Sequence, residues 1–107
     1  MDYSVKFIGH VNPKRRPDGW PETIENQSVY RSESVLGVME YLGAVGTKIK
    51  REEGLWSTTE LPGHEKTDTV FGTGVFVPIH MFTHISFAVR SLVGEVPDVN
   101  DIGVFTQ

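Results

Sequence analysis

The chain has no cysteine among its 107 residues. This absence excludes disulfide bonds, thiolate metal sites and a cysteine nucleophile, and it fits a reducing compartment. The first six residues contain an aspartate and no apolar block, so we expect no signal peptide and a cytoplasmic protein. A chain of this length can bury enough apolar surface for one core, and we therefore expect a single domain over residues 1–107.

Positive charge is also scarce, with 10 basic against 14 acidic residues and a formal net charge of −4. This balance argues against nucleic-acid binding, which depends on a basic face that neutralises phosphates. The exception is the proline-rich loop 13–21, where Lys14, Arg15 and Arg16 form a compact cluster near Trp20. The loop is interpreted either as a solvated connection or as a surface that binds a partner.

The longest stretch without Asp, Glu, Lys or Arg covers 21 residues, from Thr69 to Val89, and holds four of the six phenylalanines. A soluble protein must cover such a stretch, as its core, as an oligomer interface or as the wall of a pocket. Its length is close to that of a bilayer span, but its threonines, histidines, glycines and proline are too polar to face lipid. We therefore expect no membrane insertion.

Alternating apolar and polar residues predict a strand over 3–11, a loop over 12–22 and an antiparallel partner strand over 23–30. Ser32 is a suitable N-cap, and the apolar spacing after it predicts a helix over 33–44 that stops at Gly43 or Gly46. A short edge strand is then expected over 47–51.

Further strands are predicted over 55–61 and 69–77. Residues 79–93 fit both helical and strand periodicity, and the β-branched and aromatic composition favours a strand at least over 84–91. The tail after residue 96 is expected either to add an edge strand or to stay mobile.

These elements predict an α+β fold, with a mostly antiparallel sheet of four to six strands and one or two helices packed on one face. One helix does not cover such a sheet completely. We therefore expect a homo-oligomer, most simply a dimer, that buries the phenylalanine-rich stretch.

His80 and His84 supply half of a metal site, but the sequence fixes no further ligand, so hydrogen-bonded histidines without metal or cofactor are favoured. The segment His84-Ile85-Ser86-Phe87-Ala88-Val89 resembles the strand that opens a module in the vicinal oxygen chelate family, in which a similar histidine binds metal. This resemblance covers fewer than ten residues, and no second histidine strand or ligand glutamate matches the family pattern.

Two classes of function follow. The first is the binding of a small apolar or anionic ligand in a pocket between helix and sheet. The expected pocket residues are Tyr41, Trp56, Phe76 and Phe82, with polar contacts from His80, His84 and Arg90. The second is a non-catalytic protein–protein interaction module that uses loop 13–21 through Lys14, Arg15, Arg16 and Trp20. No residue set has the sequence context of a catalytic centre, so enzymatic activity is left open.

Overall fold

The computed structural model describes residues 1–69, 72–91 and 99–106, with side chains for 1–69 and 72–90. In chain order the elements are β1 (Asp2–Val11), β2 (Thr23–Arg31), α1 (Val35–Glu52), β3 (Gly54–Ser57), β4 (Thr67–Thr69), β5 (Gly72–Pro78), a 3₁₀ turn (Ile79–Met81), β6 (Phe82–Ser91) and β7 (Val99–Thr106). The α+β class predicted from the sequence is confirmed.

Two antiparallel sheets build the fold. One has four strands in the order β2-β1-β6-β7, and the other has three strands in the order β3-β5-β4. The strand favoured over 84–91 is confirmed as part of β6, and the preceding three residues form the 3₁₀ turn rather than a longer helix. The last two residues of the 79–93 segment lie outside the described residues.

The central strand β1 buries every second residue. Tyr3, Val5, Phe7 and Val11 are buried on one face, which we call the inner face, and the residues between them are half-buried on the outer face. Antiparallel pairing places Phe87 of β6 directly opposite Phe7, so that their rings lie 5.7 Å apart. The inner face forms one core together with buried residues of α1, β3 and β5.

The helix is longer than the sequence suggested. It runs from Val35 to Glu52, so the prediction of a strand over 47–51 is wrong, as is the expected stop at Gly43 or Gly46. Apolar residues continue at helical spacing through Ile49, and the burial of this face outweighs the weak helix propensity of the two glycines.

The two ends of α1 are set by local hydrogen bonds. The N-cap is Ser34 rather than Ser32, because the Ser34 hydroxyl accepts from the amide of Gly37 at 3.1 Å. The C-cap is Glu53, which has a left-handed conformation (φ 58°) and donates its amide to the carbonyls of Ile49 and Lys50.

The strands after the helix are shorter than expected. The strand predicted over 55–61 ends at Ser57, after which hydroxyl side chains turn toward β2. The strand predicted over 69–77 is divided into β4 and β5. Gly72 begins β5 with a positive φ of 105°, a conformation that favours glycine, and its carbonyl accepts from Thr69 Oγ1 at 2.8 Å.

The phenylalanines of the uncharged stretch differ in burial. Phe82 and Phe87 are 2% and 7% exposed within one chain, whereas Phe76 is 36% exposed. Phe71 lies outside the described residues. The described part of the chain contains no helix whose length and hydropathy would allow it to cross a bilayer.

A close approach between Gly9 and Phe82 gives a test of the core. A Cβ atom added at Gly9 would lie 2.4 Å from Phe82 Cε1, and Phe82 is nearly fully buried. We expect Gly9→Ala to lower the free energy of unfolding by about 1–3 kcal/mol, measured by urea denaturation. Gly43→Ala is the control, since its added Cβ would have no atom within 4 Å other than its chain neighbours and the adjacent backbone of its own helix. Equal stability of Gly9→Ala and the unmodified chain would contradict this packing.

Candidate functional site

A groove of about 230 Å³ opens between α1, β2 and β3, and we call it the α1 groove. Its lining residues are Asn26 and Ser28 from β2, Tyr41, Val45, Lys48, Ile49 and Glu52 from α1, and Gly54, Leu55 and Trp56 from β3. The groove combines apolar walls with a few polar groups, which is the usual composition of a small-molecule site.

Beside the groove, β3 and the residues after it meet β2 mainly through side chains. One backbone hydrogen bond also joins them, from the amide of Thr58 to the carbonyl of Glu25 at 2.9 Å. Ser57 Oγ donates to the carbonyl of Glu25 at 2.9 Å, and the Glu25 amide donates to Thr59 Oγ1 at 2.9 Å. The amide of Gln27 donates to Thr58 Oγ1 at 3.3 Å. We call residues 57–59 the hydroxyl segment. It covers the edge of β2 only as far as Gln27.

Aromatic contacts fix two walls of the groove. Tyr41 of α1 stacks on Tyr30 of β2 with ring centroids 4.1 Å apart and planes inclined by 16°. The Tyr41 hydroxyl lies 3.4 Å from Ser28 Oγ. On the opposite side, Trp56 packs against Phe76 with centroids 5.1 Å apart, and its carbonyl accepts from Asn26 Nδ2. These contacts hold the walls in place without a ligand.

Trp56 also carries an unusual polar atom. Its indole Nε1 is the one buried side-chain nitrogen or oxygen of the described residues that has no hydrogen-bond partner. Leaving a buried donor unsatisfied costs about 1–3 kcal/mol, and such an atom in a folded protein requires an explanation. An acceptor supplied from outside the chain would remove this cost.

The charges at the groove are balanced. Lys48 and Glu52 stand four residues apart on α1, both are exposed, and both line the groove. Residues at this spacing share one helix face. A ligand at this place therefore meets one positive and one negative side chain, which gives no strong preference for an anion.

The sequence-predicted ligand residues are separated in the structure. Trp56 and Tyr41 line the α1 groove. Phe76 contacts Trp56 but is not among the lining residues, and Phe82 is buried in the core beneath Gly9. Arg90 lies on the exposed outer face, paired in register with Ser4.

The two predicted histidines also lie away from the groove. His84 is the register partner of His10, and the two rings stack with centroids 4.0 Å apart. His10 Nε2 lies 3.0 Å from Ser86 Oγ, and His84 Nδ1 lies 3.0 Å from Thr83 Oγ1. His80 is exposed in the 3₁₀ turn. Among the residues with described side chains, no three of His, Asp or Glu are close enough together to hold a metal ion.

Loop 13–21 is tied to the rest of the chain. Arg15 Nη1 donates to the carbonyl of His80 at 3.0 Å, and Arg16 Nη1 donates to the carbonyl of Trp20 at 3.5 Å. Trp20 is half-buried and meets His64 edge to face at 5.7 Å. Lys14 is exposed.

Sequence reasoning missed the polar residues of the groove, Asn26 and Ser28. They occupy the same even-numbered positions of β2 as Ile24 and Tyr30, so they belong to its inner face, which the register places beside the buried residues of β1. Polar residues on the core-facing side of a strand are the signal that would have indicated them.

Comparison of the chain with protein-family models, curated proteins and solved structures gave no match.

The hydroxyl segment gives a test of how the groove is held open. Ser57 is fully buried, donates to Glu25 and accepts from the amide of Thr59 at 3.0 Å. We expect Ser57→Ala to lower the free energy of unfolding by about 1–3 kcal/mol, because the amide of Thr59 loses its acceptor. The carbonyl of Glu25 keeps its hydrogen bonds from the amide and the hydroxyl of Thr58. Ser4→Ala on the outer face of β1 is the matched control in urea denaturation. A loss no larger than that of the control would show that the segment does not fasten β3 to β2.

Proposed function

We propose that the protein binds a small, planar, mainly apolar molecule in the α1 groove, and that an acceptor atom of this ligand receives a hydrogen bond from Trp56 Nε1. The observation that carries the proposal is the buried indole nitrogen without a partner, on a residue that lines the groove. Binding would recover part of the cost of the unsatisfied donor. The proposal concerns binding and assigns no reaction.

The groove supports a narrow range of ligands. Its volume of about 230 Å³ suits a molecule of one or two rings, since sites for drug-sized ligands are about 300–1,000 Å³. Val45, Ile49 and Leu55 supply apolar contact area. The balanced charges of Lys48 and Glu52 favour a neutral acceptor, such as a carbonyl oxygen or ring nitrogen, over a carboxylate.

Quinoline and naphthalene provide a matched pair of probes, because they share a shape and only quinoline has an acceptor. We expect both to bind, with quinoline about fivefold tighter, the equivalent of about 1 kcal/mol. The indole cross-peak of Trp56 in a ¹H–¹⁵N correlation spectrum reports the contact directly. In Trp56→Phe the preference for quinoline is expected to vanish while naphthalene still binds.

Two variants control this experiment. Trp20→Phe removes the other indole signal and so assigns the Trp56 peak without touching the groove. Val45→Phe fills the groove and is expected to weaken both probes. Failure of both probes to shift the Trp56 peak would refute the proposed function.

The second candidate function is a protein–protein interaction module that uses loop 13–21. It is favoured by the bonds of Arg15 and Arg16 to backbone carbonyls, which hold the loop in one shape. A preorganised loop loses less conformational entropy when it binds a partner. Exposed Lys14 at its tip gives the loop a preference for an acidic surface.

A labelled decaglutamate peptide tests this module by fluorescence anisotropy. We expect Lys14→Ala to weaken binding at low salt, since a cation next to the peptide is lost, and added salt to weaken it further. Lys66→Ala, which removes an exposed lysine outside the loop, is the matched control. Equal effects of the two substitutions would exclude loop 13–21 as the acidic-peptide surface.

We further propose that the protein is a cytoplasmic homodimer. The absence of cysteine supports a reducing compartment. Large apolar side chains that remain exposed support association, among them Val29 at 64% and Leu36 at 68% exposure.

A further inference from the structure

Strand β2 is an edge strand that is only partly covered. Alternate residues of an antiparallel strand direct their backbone groups to opposite sides. The amides of Glu25 and Gln27 bond to the hydroxyl segment, so the odd-numbered residues of β2 direct their backbone groups away from β1. Val29 and Arg31 belong to the same set.

Within the part of the chain that the structure describes, this edge is open beyond Gln27. Among the described residues, no hydrogen bond is made by the amide or carbonyl of Val29, by the amide of Arg31 or by the carbonyl of Gln27. An open edge of this kind is a template for another strand.

The side chains along the open edge leave it accessible. Val29 is 64% exposed on an otherwise polar face. Arg31 is turned toward its own chain, where its Nε donates to Asp2 Oδ1 at 2.9 Å. That hydrogen bond lowers the pKa of Asp2 and raises the pKa of Arg31.

We propose that β2 pairs antiparallel with β2 of a second copy, with a two-fold axis at Val29, so that two four-stranded sheets become one continuous sheet. The inference rests on the proposed homodimer and names its surface. In this register the amide and carbonyl of Val29 bond to the partner's Val29. The amide of Arg31 donates to the carbonyl of the partner's Gln27. By symmetry, the amide of the partner's Arg31 donates to the carbonyl of Gln27.

The chemistry of the edge favours a second copy over an unrelated strand. With the axis at Val29, the open amides of Val29 and Arg31 each meet an open carbonyl, those of the partner's Val29 and the partner's Gln27. The exposed valine meets its own equivalent, which buries apolar surface on both sides. Arg31 faces the partner's Gln27, whereas an axis at Arg31 would place two arginines directly opposite each other.

Reciprocal charges at position 29 test the pairing. Val29→Lys and Val29→Glu each place like charges face to face across the axis, so each variant alone is expected to raise the dimer dissociation constant about fivefold or more. An equimolar mixture of the two variants should recover a heterodimer, because the opposite charges then face each other. Sedimentation equilibrium measures the constants, and native mass spectrometry counts the heterodimer.

Val29→Thr is the control, since threonine keeps the strand propensity and adds no charge. The exposure of Val29 implies that all three variants fold, which circular dichroism verifies. A monomeric unmodified chain would refute the homodimer and this pairing together. A dimer unaffected by Val29→Lys, or a mixture without heterodimer, would refute the pairing alone and leave a homodimer with another interface.

Discussion

The requirement to cover the inner face of β1 determines most of this structure. Tyr3, Val5, Phe7 and Val11 cannot face water together, and the strands on either side widen the apolar surface that must be buried. A helix of only three turns would leave part of that surface open. The observed α1 runs for 18 residues, and β3 and β5 contribute the rest of the cover. The outer face, with its lysine, glutamate and stacked histidines, has no comparable need of a cover.

The sequence predicts elements well where the burial pattern is local. The alternation in β1 is readable because each residue faces either the core or the outer side, and the pattern persists for ten residues. The extent of α1 is not readable in the same way. Gly43 and Gly46 signal a stop by propensity, but Gly46 is buried on the helix face that meets the core. Tertiary packing thus overrides a local signal that is only about 1 kcal/mol strong per glycine.

The candidate site shows a different limit of sequence reasoning. Tyr41 and Trp56 were predicted from the sequence to line a pocket between helix and sheet, and both line the α1 groove. His80 and His84 were grouped by their spacing in sequence, yet strand pairing makes His10, far away in the chain, the neighbour of His84. Neighbours of this kind depend on register, which a single sequence does not specify.

The groove itself results from an incomplete pairing. Residues 57–59 do not form a regular strand beside β2, and the space between α1, β2 and β3 is open at Asn26 and Ser28. The hydroxyl groups of residues 57–59 form hydrogen bonds with the backbone of Glu25 and Gln27. These bonds cover the edge of β2 only over that short distance. The α1 groove and the open part of the β2 edge therefore lie next to the same short segment.

The central position of β1 also affects how the chain folds. Its hairpin partner β2 follows closely, but its other partner β6 is distant in sequence, as the 76-residue separation of His10 and Ser86 shows. Bringing two such distant segments together costs conformational entropy before their stabilising contacts form, and this cost slows folding. During synthesis on the ribosome, the β1–β2 hairpin emerges long before β6 exists. Its unpaired side must then remain solvated, or be shielded by a chaperone, until the second half of the polypeptide arrives.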